Sequence, residues 1–328
     1  MAYLVTGGTG FIGSYAVRDL LKAGKEVVCL QKSGVTEVFR LAVGDANLKK
    51  VKIIQGDVSN ALQIFDVIKQ NKIDTIVHCA AILSASGAIS SETTPPYGLQ
   101  VNIIGMNNLL EAARLFGLRK IVWTGTVQSL GKVGDFYKGA IGDDSAIFQP
   151  DNIYSASKML CEIMCQVYFN KFGVDSLGLR MGLQLGIGKA KMNALTDFLK
   201  GAATGVPVTM AAEDIDQPRA LGYIDNMSDL IKTACESSPT RTRNFNSVDW
   251  MVSSRQLAEA SQRVNPKAKI TLKDKVSNKE QTWAGLAEPK LVITGIREEL
   301  NWKPKYNLEE SLSNIFNYYR QQAGLPPL

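Results

Sequence analysis

Tyr154 and Lys158, in the stretch YSASK at 154–158, stand four residues apart, so on a helix they share one face. That pairing suits proton transfer. A free tyrosine has a pKa near 10, which leaves only about one molecule in a thousand ionised at pH 7. A lysine ammonium held beside it favours the phenolate, each unit of depression being worth roughly 1.4 kcal/mol. The same spacing occurs on helices that merely pack, so the rest of the chain decides between the two readings.

A second cluster lies near the start. TGGTGFIG at 6–13 sets Gly7, Gly10 and Gly13 at three-residue intervals between an apolar run and an amphipathic segment. Glycines there permit a tight turn and close backbone approach, and the first turn of the following helix offers unpaired N–H groups to a pyrophosphate. Dinucleotide binding is the chemistry this predicts. The next apolar run ends on Gln31, followed by Lys32 and Ser33. An acid at that tip would accept from the 2′-OH of NAD, whereas a cation would meet the 2′-phosphate of NADP. With no carboxylate at the tip, NADP is favoured over NAD; if Lys32 is merely solvated, the cofactor is NAD. Asp57 and Val58 follow the third apolar run, where an acid can accept from the adenine amino group or cap the helix that begins at Ser59.

The elements that position these residues follow from periodicity. Short apolar runs at 2–6, 26–31, 51–57, 74–81, 120–125 and 175–180 read as strands, and amphipathic segments at 11–24, 60–70, 97–116 and 152–172 as the helices between them. Strands rich in Val and Ile and apolar on both faces imply a parallel sheet covered by helices on both sides, an α/β class. Beyond residue 180 glycines break the pattern, as expected of a smaller lobe. Strand and helix return at 220–236, and the chain ends in an amphipathic helix. The expected division is a dinucleotide-binding domain over 1–180 and a mainly substrate-binding lobe over 181–328, with 219–250 returning to the first.

Composition excludes several classes. A net charge of +6 on 328 residues is modest, and no basic run exceeds Lys49-Lys50, so nucleic acid is not an expected partner. The five cysteines lack CxxC spacing, and the single histidine, His78, rules out a multi-histidine metal site. Cys161 and Cys165 read as core residues. The charge-free stretches contain proline and glycine and are not membrane spans. A start that runs straight into strand and glycine loop leaves no room for a signal peptide, and with reduced thiols the expected location is the cytoplasm.

These residues together resemble the extended short-chain dehydrogenase/reductase family over nearly the whole chain. The carriers are TGGTGFIG (6–13), GDV (56–58), HCAA (78–81), VNIIG (101–105), TGTVQSLG (124–131), YSASK (154–158), LR (179–180) and the WKPKYNLEES ending. The resemblance implies a Rossmann-type doubly wound sheet with a smaller C-terminal substrate-binding lobe, and an NAD(P)-dependent oxidoreductase. It makes Tyr154 the acid/base and Lys158 the cation that lowers its pKa and holds the nicotinamide ribose. Thr126 becomes the hydroxyl that orients the substrate oxygen, and Asn102 the helix asparagine that holds backbone and a water near the lysine. From its motifs Phe11, Ile12 and Ala80 join the glycines, Gln31, Lys32, Asp57 and Val58 at the cofactor, and Ser84, Gln128 and Arg219 face the substrate. Arg219 reads equally well as a surface arginine.

Departures narrow the choice. Dehydratases of the family carry Thr-Asp-Glu where this chain has Thr126-Val127-Gln128, and nucleotide-sugar epimerases carry an asparagine where it has Leu183. The loop at 80–88 resembles that of members that oxidise small alcohols, such as short-chain threonine dehydrogenases. The expectation is therefore a dehydrogenase or reductase of a small hydroxyl or carbonyl compound, such as a sugar, sugar acid or hydroxy acid. The alternatives are a nucleotide-sugar epimerase and a non-catalytic dinucleotide sensor. Family members pair through two long helices, so a homodimer is expected, with Leu109, Leu110, Met159, Ile163 and Val167 as the outer apolar face.

Overall fold

A computed structural model of the chain describes residues 2–84, 90–131, 139–146, 148–189, 194–277 and 291–328. Seven parallel strands form its main sheet: β1 (Ala2–Thr6), β2 (Glu26–Gln31), β3 (Val51–Gln55), β4 (Ile73–His78), β5 (Lys120–Thr126), β6 (Ser176–Met181) and β10 (Asn244–Ser247). Their order is β10-β6-β5-β4-β1-β2-β3. All five residues of β1 and all seven of β5 are buried, as expected of strands covered on both faces. The first two connections run outward from β1 in one direction, and β4 crosses back to its other side. The direction of winding therefore reverses between β1 and β4, and a crevice opens there at the carboxyl ends of the strands.

The covering helices are α1 (Phe11–Lys22), α2 (Glu37–Val43), α3 (Asp45–Leu48), α4 (Ala61–Gln70), α5 (Pro95–Leu99), α6 (Gly105–Phe116) and α7 (Ile153–Phe172). Two apolar cores result. One gathers Val5, Val17, Leu20 and Phe39 with Leu230 and Phe245, and the other Leu4, Ile64, Met106, Leu110, Trp123 and Cys165. Cys161 is buried in the second core as well, and all five cysteines are free.

The chain divides into two compact units. The first comprises Met1–Met181, Met227–Ser247 and Pro289–Lys303; the second comprises Gly182–Asn226, Val248–Glu288 and Pro304–Leu328. The second holds β7 (Leu183–Leu185), β9 (Arg219–Tyr223) and β11 (Trp250–Val252) as one small sheet, and β8 (Val208–Ala211) with β12 (Ile270–Lys273) as another. Its helices include α8 (Ala194–Thr204), α10 (Ser254–Val264) and α12 (Leu308–Gln322). The helices α9 (Ile224–Glu236, from Met227 onward) and α11 (Gly295–Leu300) belong to the first unit. The strand at 219–223 was expected to return to the main sheet. It pairs instead with β7 and β11, and β10 is the strand that extends the main sheet by pairing with β6.

Within the second unit, Asp249 caps the start of α9. Its Oδ2 accepts from the Tyr223 N–H at 2.7 Å and from Asn226 Nδ2 at 3.1 Å, while Oδ1 has no hydrogen-bond partner among the described residues. Burial pushes this carboxyl up to about 7. Because the folded chain then binds a proton that the unfolded chain releases near pH 4, stability falls as pH rises from about 4 through 7. We expect Asp249→Asn to flatten that dependence. The measurement is the difference in Tm between about pH 5 and pH 8: wild type should lose several degrees more than the variant, and equal losses would refute the assignment.

Candidate active site

The loop after β1 is a turn built from main chain. The Gly7 N–H donates to the Leu30 carbonyl at 3.0 Å, and the Gly10 N–H to the Gly7 carbonyl at 2.9 Å. Gly7 has φ +66°, and a Cβ there would lie 2.7 Å from the Ala80 nitrogen, so this glycine is required by both backbone and space. At Gly13 a Cβ would come within 2.2 Å of the Gly7 oxygen. Gly10 caps α1 with no side-chain hydrogen bond, and no acid occupies the first turn, so N–H groups at the helix start are left open to an anion. Phe11 stacks edge-on with Tyr15, and Ile12 packs against the core. A pyrophosphate fits this cradle, and a side chain does not.

At the tip of β2, Gln31 Oε1 lies 3.5 Å from the Thr9 N–H and its Nε2 donates to Ser33 Oγ. Lys32 donates to Asp57 Oδ2 at 3.0 Å and to the Tyr97 hydroxyl at 2.6 Å. Asp57 is not a helix cap: Asn60 caps α4, and Asp57 Oδ1 instead takes the Ser59 N–H and hydroxyl. Burial works against its charge, yet those Ser59 bonds and Lys32 together hold the carboxyl below its usual range. Val58 is buried, its carbonyl accepting from Asn108 Nδ2.

The second cluster sits at the ends of β4 and β5. Lys158 is buried on α7 and donates to the Thr124 carbonyl at 2.8 Å. Tyr154 is half-buried in the first turn of the same helix, near the Thr126 side chain, which favours its phenolate. Thr126 ends β5, and its Oγ1 also accepts from the Gln128 N–H at 3.2 Å. The helix is positioned by a reciprocal cap: Asn152 Oδ1 takes the Ser155 N–H, and the Ser155 hydroxyl faces the Asn152 N–H. Asn102 accepts from the Ile82 N–H at 2.8 Å and donates to the Ile82 carbonyl and to Ser157 Oγ, tying the β4 loop to α7. That clamp interrupts the single helix expected over 97–116. Residues Gln100–Ile104 form a π-turn between α5 and α6, which aims the asparagine inward.

One expectation about this pair is corrected. Lys158 does not depress the Tyr154 phenol in this state. Burial pushes the phenol up to about 12 against the pull of the nearby Thr126 side chain, while the lysine nitrogen is turned to Thr124 and lies 6.0 Å from the ring centroid. Burial also lowers Lys158 itself. His78 is driven down to about 3 by burial and by the charge of Lys158, so it is neutral and bonds Thr6 Oγ1 through Nδ1 at 2.7 Å. Among the described residues no cluster could hold a metal ion.

Of the residues expected at the substrate, Gln128 is half-buried beside Thr126, and Ser84 is half-buried in the loop after β4. Residues 85–89 of that loop lie outside the described residues. Arg219 begins β9 in the second unit and is buried, not a surface residue. Sequence reasoning missed Ser157, which donates to the Tyr154 carbonyl, and the chain of contacts that runs from the Thr126 carbonyl through Ser129 and Glu162 to Arg180. The signal was available for Glu162, which continues the Tyr154–Lys158 spacing by another four residues. It also missed Lys189 of the second unit, whose ammonium burial drives down to about 8 and whose Nζ donates to the Gln184 carbonyl.

A doubly wound sheet with a glycine cradle at the end of β1 and a tyrosine and lysine facing the end of β5 defines a dinucleotide-binding α/β protein. The profile of the NAD dependent epimerase/dehydratase family matches residues 3–247, and the chain belongs to that family, whose members are enzymes of the extended short-chain dehydrogenase/reductase type. It is 26% identical to a UDP-glucuronate 4-epimerase of Thermodesulfobacterium geofontis over 98% of this chain and 97% of the relative. In fold it is similar to the UDP-glucose 4-epimerase of Thermotoga maritima (TM-score 0.81, 22% identity, 98% and 100% of the two chains). It is equally similar to the L-threonine dehydrogenase of Clostridium difficile (TM-score 0.81, 20% identity, 98% of each chain). No helix among the described residues is long and apolar enough to cross a membrane.

Proposed function

We propose that the chain is a dehydrogenase or reductase acting on a carbon that carries a hydroxyl or carbonyl group in a small sugar, sugar acid or hydroxy acid. The observation that carries this is the placing of Tyr154 and buried Lys158 on one helix face at the end of β5, where Lys158 donates to the Thr124 carbonyl two residues before Thr126, with no carboxylate at Val127 or Gln128. When bound, a nicotinamide dinucleotide supplies the hydride donor or acceptor. Gly7, Gly10, Phe11, Ile12, Gly13 and Ala80 would hold its diphosphate side, Gln31, Lys32, Asp57 and Val58 its adenosine, and Lys158 its nicotinamide ribose.

Within this scheme Thr126 orients the substrate oxygen by its hydroxyl. Tyr154 takes the hydroxyl proton in oxidation and gives it back in reduction. Asn102 holds α7 against the β4 loop. Gln128 and Ser84 are the proposed substrate contacts of the first unit, and Arg219 is proposed as a substrate residue of the second. The test is a fluorescence titration with NADH and NADPH, followed by an absorbance screen at 340 nm over alcohols, sugars and hydroxy acids. Turnover with no member of a broad panel would favour a non-catalytic dinucleotide sensor instead.

A second reading has its own support in the end-to-end match to a UDP-glucuronate 4-epimerase. An epimerase would keep dinucleotide through purification and show no net change at 340 nm with its substrate. Leu183, where epimerases carry an asparagine, weighs against it.

For the cofactor we propose NADP over NAD, because Gln31 places no carboxylate at the tip and Lys32 stands next to it. Lys32 shares its charge with Asp57 and the Tyr97 hydroxyl, so its discrimination should be modest. Lys32→Ala should weaken NADPH about tenfold, or ~1.4 kcal/mol, and leave NADH within twofold. Tighter NADH than NADPH binding by the wild type would overturn the preference.

A homodimer through α6 and α7 is also proposed. Leu109 and Leu110, expected on its face, are fully buried in the chain's own core. The exposed apolar residues include Ile104 and Leu115, and on α7 Phe172 as well as Leu160, Ile163 and Val167, the last three at 36%, 44% and 43% exposure and spaced along one side of the helix. Light scattering should give twice the chain mass for the wild type and the single-chain mass for Ile163→Lys. A wild-type monomer at micromolar concentration would contradict it.

A further inference from the structure

Behind the Thr126 corner stands a buried carboxylate that the proton-transfer scheme does not use. Glu162 lies on α7 one turn past Lys158 and two past Tyr154, so the three form one stripe along the helix. Each grips a different point of the same turn. Tyr154 stands near the Thr126 side chain, Lys158 donates to the Thr124 carbonyl, and Glu162 Oε1 lies 3.0 Å from Ser129 Oγ. The same Ser129 oxygen is 2.8 Å from the Thr126 carbonyl, so its hydroxyl proton is placed between that carbonyl and the carboxylate.

Arg180 on β6 closes on Glu162 from the far side. Its Nη2 is 2.6 Å from Oε2 and its Nε 3.0 Å from Oε1, with neither side chain more than 2% exposed. The guanidinium is held in turn by the Ser145 carbonyl at 2.8 Å and Asn246 Oδ1 at 3.3 Å. A buried ion pair adds little net stability over apolar residues of the same volume, so stability alone is a weak reason for one here. Its value lies in direction: both charges are fixed from several sides, and among the described residues it reaches toward the reacting groups through Ser129.

We propose that Glu162, held by Arg180, is a positioning residue that acts through Ser129 to fix the Thr126 corner and thereby the placement of the Thr126 hydroxyl against Tyr154. The proposal rests on the proton-transfer reading of Tyr154 given above. Ser129→Ala is the informative variant, because it leaves the ion pair whole and removes only its link to the corner. In holoenzyme carrying tyrosine labelled with ¹³C at Cζ, with the Tyr154 resonance identified by its loss in Tyr154→Phe, Thr126→Val should shift that resonance. Ser129→Ala should shift it in the same direction, and this arm needs no substrate. Turnover of Ser129→Ala should fall about tenfold, with KM and dinucleotide affinity within twofold of wild type and Tm within about 3 °C, whereas a purely structural role would show in Tm and binding together. If Thr126→Val shifts the resonance and Ser129→Ala does not, or if Ser129→Ala turns over within twofold of wild type, the positioning role is wrong while the Tyr154 reading stands. If Thr126→Val leaves resonance and turnover unchanged, the Thr126–Tyr154 contact itself fails, and the positioning role falls with it.

Discussion

Tyr154→Phe should lose at least about a thousandfold in turnover, ~4 kcal/mol of transition-state stabilisation, while dinucleotide affinity stays within about threefold. The variant removes one oxygen from a half-buried ring whose packing is otherwise kept, so the loss would report proton transfer and not folding. The pH dependence follows from the same group. Burial holds the free phenol near 12, so at neutral pH it is almost wholly protonated. Oxidation of a hydroxyl needs the deprotonated form and should quicken as pH rises from about 6 to 9. Reduction of a carbonyl needs the protonated form, already complete, and should not quicken over that range. Steady-state kinetics in both directions checks this. A Tyr154→Phe enzyme with more than a tenth of wild-type turnover would remove tyrosine from the mechanism.

Gly13→Ala is expected to weaken dinucleotide binding at least about a hundredfold, ~2.7 kcal/mol. The added carbon would sit 2.2 Å from the Gly7 carbonyl oxygen, and the atom it meets is main chain, which cannot rotate aside. Either the turn opens or α1 moves, and both spoil the cradle. Some stability goes with it, roughly 1–3 kcal/mol for an overpacked backbone contact. The comparison variant is Gly117→Ala at the end of α6, where a Cβ meets nothing within 4 Å although φ is +64°. It carries the left-handed backbone penalty without touching the loop, so it should lower Tm and leave affinity alone. Isothermal titration separates the two. Wild-type affinity in Gly13→Ala would mean that the dinucleotide sits elsewhere.

The features that could be read from the chain are those set by short-range periodicity. β1 and β2 fall where the apolar runs place them, and α7 begins within a residue of its expected start because Asn152 and Ser155 encode a capping box. What escaped is long-range. The break in the helix over 97–116 comes from Asn102 reaching across to Ile82, a partner twenty residues away that no local pattern names. Leu109 and Leu110 look like either a core or an outer face until α4 packs against them. The direction of the Tyr154 shift is set by burial, with the Lys158 ammonium turned to the Thr124 carbonyl, and a four-residue spacing names neither. Likewise β9 has the composition of a main-sheet strand, and only its pairing with β7 and β11 assigns it to the second unit.

Hydride removal from a carbinol carbon with the proton passing to Tyr154 is the central claim, and isotope transfer tests it most directly. Substrate candidates deuterated at the carbinol carbon, including small hydroxy acids and UDP-sugars, are incubated with wild-type protein and excess oxidised dinucleotide, and the recovered reduced dinucleotide is analysed by mass spectrometry. Deuterium should appear in it with at least one candidate for the wild type and be lost at least about a thousandfold in rate for Tyr154→Phe. Equal incorporation by the two proteins, or none by a wild type shown to bind the dinucleotide, would contradict the account.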